Sequence, residues 1–303
     1  MRFARHFLLA TLAFGAAACS DDDTGPTSAV IPPLAYVRYI NATPDTFPHT
    51  VRWVDDLEFT PQTFINVGFR TEGQGGFQGL RAGSRRFKVF TYQQNVLNFP
   101  IAGNTTVLKD TTFNFVAGQH YTIVYSGFTR TGSTPAAQLN IITDDPPASP
   151  ATGTLIRVYN LAYTGTWDVY LGPTATQVGD TSTTSTAYAA APGTLLASTT
   201  APGSAGAVAQ NYTARALGNY QLRFTTAGTL NRPGTAATPT PVRVAVPAGV
   251  AETADFEAAG GSNINGSVLT VWVFGAQTGG TGAASRPSAL VTVDRSPART
   301  IAP

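Results

Sequence analysis

Groups able to do chemistry are few and scattered in this chain. Of its three histidines, only His49 and His120 lie beyond the first ten residues, and Cys19 is the single cysteine. Two imidazoles and one thiol cannot assemble a classical structural zinc site. A serine hydrolase could use either histidine, but no Gly-x-Ser-x-Gly elbow is present to raise the nucleophile. Asp55-Asp56-Leu57-Glu58 is the densest acidic cluster outside residues 21–23. Paired carboxylates can hold calcium or exchange protons, yet calcium loops alternate their ligands and turn on a glycine. This cluster therefore reads as the cap of a hairpin. Gly73-Gln74-Gly75-Gly76-Phe77-Gln78-Gly79 looks like a phosphate loop but lacks its Lys-Ser/Thr and a following helix. Asp45 reads as a turn residue whose carboxylate bonds backbone amides. Trp53, Trp167 and Trp272 fall within strand patterns, where core packing is the default, although an exposed aromatic row could stack on sugars. We expect no catalytic residue, no metal site and no cofactor, and the sequence assigns no binding residues.

Cys19 is where chemistry is expected. A basic start with Arg2 and Arg5 precedes an apolar run, Leu8 to Ala18, and small residues lead into Cys19. That is the layout of an export signal, and the run is too short for a hydrocarbon core that needs roughly 20 residues. Ala16-Ala17-Ala18-Cys19 resembles the lipobox of bacterial lipoproteins, with Ala16 where a larger aliphatic residue is usual. The resemblance implies a diacylglyceryl group on the Cys19 sulfur, and two acyl chains hold a protein stably on a membrane. Ser20 in the next position resembles lipoproteins sorted to the outer membrane. Ser20-Asp21-Asp22-Asp23 resembles an acidic surface-export signal and reads equally as a solvated spacer. The expected partner is thus the membrane, on the periplasmic face or the cell surface.

Removal of residues 1–18 would take Arg2 and Arg5 away, leaving 17 basic against 17 acidic side chains. No basic footprint for nucleic acid survives, so no nucleic-acid partner is expected. Charged residues make up 12% of the chain, about half the usual share. Lys, Glu and Met are scarce, whereas Thr, Gly, Pro and aromatic residues abound. This composition disfavours surface helices and favours an all-β fold. Disulfides within the chain are excluded by the single cysteine.

Strands are expected at Tyr36–Ile40, Thr50–Val54, Phe64–Phe69, Phe77–Leu80, Arg85–Tyr92, Thr105–Phe115, His120–Phe128 and Leu139–Thr143, separated by Gly-rich turns. Asp144-Asp145-Pro146-Pro147-Ala148-Ser149-Pro150 then reads as an extended, stiff linker. Beyond it the pattern restarts. Leu155-Ile156-Arg157-Val158-Tyr159-Asn160 echoes Tyr36-Val37-Arg38-Tyr39-Ile40-Asn41, with Arg and Asn in register. Tyr212–Phe224 follows Phe77–Val89, and Val246-Pro247-Ala248-Gly249 follows Phe115-Val116-Ala117-Gly118. Leu269–Gly275 follows Tyr121–Gly127. Both halves close on an alternating strand followed by Asp144 or Asp294 and a nearby proline. The expected organisation is a signal peptide (1–18), a tether (19–34), a first domain (35–145), a Pro-rich linker (146–153) and a second domain (154–303). The second domain carries long insertions at 173–210 and 250–266, which read as flexible or functional loops.

Val37-Arg38-Tyr39-Ile40-Asn41-Ala42-Thr43-Pro44-Asp45 and Val116-Ala117-Gly118-Gln119-His120-Tyr121-Thr122-Ile123-Val124 resemble the hallmark blocks of the DUF4397 family of extracytoplasmic bacterial domains. The second half lacks the Pro-Asp after Asn160. The resemblance implies Ig-like β-sandwiches, here two in tandem, and hands over no catalytic residues. A lipid-anchored envelope protein acting as a non-enzymatic binding or spacer module is the expected function. The alternative is a carbohydrate-binding or carbohydrate-processing accessory lipoprotein, so protein and glycan partners both stay open.

Overall fold

A computed structural model describes residues 32–55, 64–92, 106–163, 167–173, 194–198, 208–209, 211–226, 234–235, 238–239, 243–275 and 286–300. Among these residues the fold is all-β, with no helix. The first half contains β1 (Leu34–Ala42), β2 (His49–Trp53), β3 (Phe64–Val67), β4 (Thr71–Glu72), β5 (Gln78–Arg81), β6 (Gly83–Thr91), β7 (Val107–Phe115), β8 (His120–Ser126) and β9 (Gln138–Thr143). The second half contains β10 (Thr154–Asn160), β11 (Trp167–Pro173), β12 (Thr194–Ser198), β13 (Val208–Ala209), β14 (Thr213–Arg215), β15 (Tyr220–Thr226), β16 (Gly234–Thr235), β17 (Thr238–Pro239), β18 (Arg243–Ala245), β19 (Val268–Phe274) and β20 (Ser288–Arg295).

The two halves pair their strands in the same order. In the first, β4-β1-β8-β9 form one sheet, with β5 also on β1, and β3-β2-β6-β7 form another. In the second, β13-β10-β19-β20 with β14 on β10, and β12-β11-β15-β18, repeat that order; β16 and β17 make a separate pair. The register repeats too: Arg38 lies beside Thr122 in a parallel pair, and Arg157 beside Thr270 in the other. Two short strands, β12 and β13, fall inside the segment 173–210 that was expected to be an insertion without structure. They occupy the pairing positions of β3 and β4, so part of that segment is fold. The other expected insertion, 250–266, closes on a Val250–Ala259 bridge and buries Ser262.

Each half has its own apolar core drawn from both of its sheets. In the first, Val37, Tyr39, Ile123 and Tyr125 meet Val51, Trp53, Phe87, Val89 and Phe115. In the second, Ile156, Val158, Val271 and Val273 meet Val169, Leu171, Leu222 and Phe224. Side chains alternate across a strand, so Arg38, Ile40, Ala42, Thr122 and Val124 must point away from the first core. They are nonetheless buried, because Ile40, Ala42 and Val124 pack against Tyr159, Leu161, Trp272 and Phe274 in a third core shared by the halves. The sheets built around β1 and β10 therefore stack face to face, each covered on both sides. That explains why every residue of β19 is buried, and why Val268 to Phe274 reads as a nearly continuous apolar run. Leu34–Pro303 form one compact unit.

Glycine is required at the turn before the parallel strand in each half. Gly118 and Gly266 hold φ of 78° and 86°, a region that an L side chain adopts only with strain. The Gly118 amide donates to the Leu34 carbonyl at 2.7 Å and fixes the start of β1.

Candidate functional site

Among the described residues, the densest set of ionisable groups lies in the shared core. Arg38 projects from β1 towards the second half and donates Nε to Thr122 Oγ1 at 2.7 Å. Its Nη2 reaches Asp144 Oδ2 at 2.6 Å, and its Nη1 reaches Asp294 Oδ1 at 2.7 Å. Arg157 does the same from β10. Its Nε donates to Thr270 Oγ1 at 2.7 Å, and its Nη2 bonds Asp144 Oδ1 and lies 3.8 Å from Asp294 Oδ2. Thr122 in turn donates to Asp144 at 2.7 Å, and Thr270 donates to Asp294. Each arginine thus bridges the aspartate of its own half and that of the other, which is the reciprocity of a two-fold interface.

Aromatic faces close the guanidinium planes. Arg38 lies over Phe77 at 4.4 Å and Trp272 at 5.1 Å, and Arg157 lies over Tyr212 at 4.4 Å and Tyr159 at 4.8 Å. Phe77 and Tyr212 precede β5 and β14, so this contact is also repeated. Thr292 accepts from Arg38 Nη1 and from the Trp272 indole N–H, both at 2.9 Å. Tyr212 donates to Asp294 at 2.9 Å. Burial opposes the charge of Asp144, but Arg38 and Arg157 outweigh it and hold its pKa below the ordinary value. Burial likewise opposes the charge on both arginines, and the aspartates outweigh it and raise both. Glu72, a fifth charged group 3.9 Å from Arg38, differs: burial wins and pushes its pKa up.

Chemically this is a joint. Two cations and two anions neutralise one another with side-chain exposures of 0% to 8%. Further ties support it: Arg70 donates to the Gly275 carbonyl at 2.6 Å, Arg295 to the Pro146 carbonyl at 3.0 Å, and Phe128 packs on Tyr163 at 4.7 Å. The sequence reading missed the joint and placed Asp144 in a linker. Asp144 is fully buried and Pro146 is buried too. The available signal was an arginine in register in two apolar strands, each half ending on an aspartate.

The other candidates fall elsewhere. His49 is buried, with Nδ1 2.6 Å from the Tyr39 hydroxyl, Nε2 2.8 Å from Thr46 Oγ1, and its ring edge-on to Tyr125. Burial lowers its pKa to about 3 against a modest opposing pull from Asp45. Because the folded value is depressed, the stabilising contribution is full above about pH 6.5 and is lost as pH falls towards 3. We expect roughly 2–3 kcal/mol of stability to be lost between pH 7 and about pH 4.5. Thermal melts across that range would show it, and His49→Gln should flatten the slope.

His120 stacks on Tyr36 and meets Phe77 edge-on, each at 4.9 Å, and burial lowers its pKa. Asp45 accepts from the amides of Thr129 and Arg130 at 3.0 Å, so it bonds backbone amides as expected, but in a distant loop. Asp55 takes the Arg86 amide at 3.1 Å, whereas Asp56, Leu57 and Glu58 lie outside the described residues. Gly73 is buried against the Phe64 ring, and no helix follows. Trp53 and Trp272 are buried and Trp167 packs on the second core, so the three form no exposed row. Cys19 lies outside the described residues. Among the described residues, no group of three or more His, Cys, Asp or Glu could hold a metal ion, and no helix is long and apolar enough to cross a membrane.

Comparison with known proteins adds a family. A solved structure from Bacteroides eggerthii DSM 20697, described provisionally as a cell adhesion protein, aligns at 11% identity over 87% of this chain and 96% of its own, with a TM-score of 0.24. Curated proteins gave no match. The family model described as "Domain of unknown function (DUF4397)" matches residues 35–170. That span runs from β1 into β11 and takes in Arg38, Asp144 and Arg157. Residues 35–170 of this chain are thus similar to the DUF4397 family.

Proposed function

We propose that the protein is a lipid-anchored module of the cell envelope, non-enzymatic, in which two tandem Ig-like β-sandwiches are fused into one binding block. The domains would span 35–145 and 154–303, with 146–153 between them. The carrying observation is the joint: the densest group of charges among the described residues is buried and committed to holding the halves together. The repeated pairing order supports the tandem reading. The face-to-face stacking favours a compact block over an extended spacer, since the linker region is pinned at Asp144 and Pro146. A glycan platform built on the tryptophans loses support, because Trp53 and Trp272 are buried.

The anchor is Cys19, the one cysteine, preceded by small residues and followed by the acidic run Asp21–Asp23. It would hold the block on the outer membrane. Fractionation of cells with protease shaving tests this. The wild-type chain should sediment with membranes, and Cys19→Ala should release it. A wild-type chain found free in the periplasm contradicts the anchor.

A further inference from the structure

The two halves share a pairing order but differ on one face. In β2 and β6, Arg52 and Lys88 lie directly opposite each other, pointing away from the core. Arg86, two residues along β6, shares that face. In the second half the matching positions are Tyr170, Arg223 and Gln221, and there Arg223 and Gln221 are 2% and 4% exposed. In the first half Arg52 is exposed, and the Arg86 and Lys88 side chains are 55% and 29% exposed. Among the described residues, the acidic group across the pairing is Asp110 of β7, shared between Arg86 at 2.7 Å and Lys88 at 3.2 Å. Asp55, at the end of β2, is turned to the Arg86 amide and towards Arg85. Among the described residues, three cations facing one shared carboxylate leave an excess of positive charge, in a chain otherwise poor in charge. Lys88 is one of only two lysines in the whole sequence.

We infer that this open face of the β3-β2-β6-β7 sheet binds an anionic polysaccharide bearing carboxylate or sulfate groups. The inference rests on the binding-module reading and names its partner class. The cations sit about 5 Å apart across strands and about 7 Å apart along one, on a flat sheet rather than in a pocket. That layout suits several weak contacts with a polymer better than one enclosed small anion. The exposed apolar side chains Ile65 and Val107 lie on the edge strands β3 and β7, not between the cations, so among the described residues no apolar patch coincides with the charge to favour a lipid surface. The side chain that competes with the ligand is Asp110, whose pKa the Arg86 hydrogen bonds pull down to about 2. It stays ionised at any ordinary pH.

The test uses the Cys19→Ala chain, which carries no lipid, on immobilised dextran sulfate and polygalacturonate. Neutral dextran and phosphatidylglycerol vesicles are run beside them. Salt-sensitive retention on both charged polymers is expected. Replacing Arg52, Arg86 and Lys88 together by Gln should weaken it at least about tenfold, as three exposed ion pairs each worth a few-fold would. Arg52→Gln alone, at an exposed side chain, should weaken it without touching the fold. Asp110→Asn should strengthen it by freeing Arg86 and Lys88, an effect that no loss of folding can mimic. Arg130→Gln, an exposed arginine elsewhere, should leave it unchanged. No retention, retention indifferent to these substitutions, or capture by the vesicles in preference to the polymers overturns the inference. None of these outcomes bears on the anchor, which fractionation decides separately.

Discussion

Asp144→Ala is expected to lower the melting midpoint by on the order of 10 °C. The substitution strips Arg38, Arg157 and Thr122 of a shared acceptor and leaves two buried guanidiniums facing Asp294. Breaking a buried charge pair costs about 3–5 kcal/mol, most of it from the uncompensated charge. For a unit of this size each kcal/mol moves the midpoint by roughly 2–4 °C. The same logic sets a counter-case. Replacing Arg38, Asp144, Arg157 and Asp294 together by apolar residues of similar volume removes the charges with their partners, and should recover most of the loss. Acid should act like the single substitution. The depressed pKa of Asp144 means its contribution is present above about pH 4 and is lost as pH falls through the folded value. Glu72, with its raised pKa, acts in the opposite sense: its contribution is full below the ordinary carboxylate range and fades as pH rises.

Trp272→Ala carries a comparable loss by a different route. The indole is fully buried, stacked on Tyr159 at 4.6 Å, and lies beneath the Arg38 guanidinium. Truncating a buried tryptophan costs about 3–5 kcal/mol through lost burial and the cavity left behind. The joint loses a second support as well, because Thr292 no longer receives the indole N–H while still holding Arg38. Trp272→Phe keeps most of the apolar contact and loses that hydrogen bond, so it should cost clearly less than the alanine change. Denaturant titration of the two variants against the wild type measures the difference.

Much of this architecture was legible in the chain. Strand positions followed from alternating apolar residues between glycine turns, and the restart at Leu155 followed from Arg157 and Asn160 standing in register with Arg38 and Asn41. The two asparagines act alike: each accepts from the amide two residues on, at 2.9 Å. The stacking of the halves was not legible. Binary patterning places Arg38 and Thr122 on a polar outer face. Nothing local shows that a second copy of that face lies against it, with a matching aspartate supplied by a segment rich in prolines. Likewise β12 and β13 were hidden in a run of Thr, Ala, Gly and Ser, where a short strand takes its register from β11 and β10 rather than from its own pattern. The basic face was not legible either, because Arg52, Arg86, Lys88 and Asp110 converge only once three strands are paired.

The buried charges tie the two halves into one block. Differential scanning calorimetry of the Cys19→Ala chain, and of the same chain with Asp144→Ala, tests this directly. The first should unfold in a single transition whose calorimetric and van't Hoff enthalpies agree, and Asp144→Ala should shift that transition down or split it. Two independent transitions in the chain without the Asp144 change, both insensitive to it, would contradict the account.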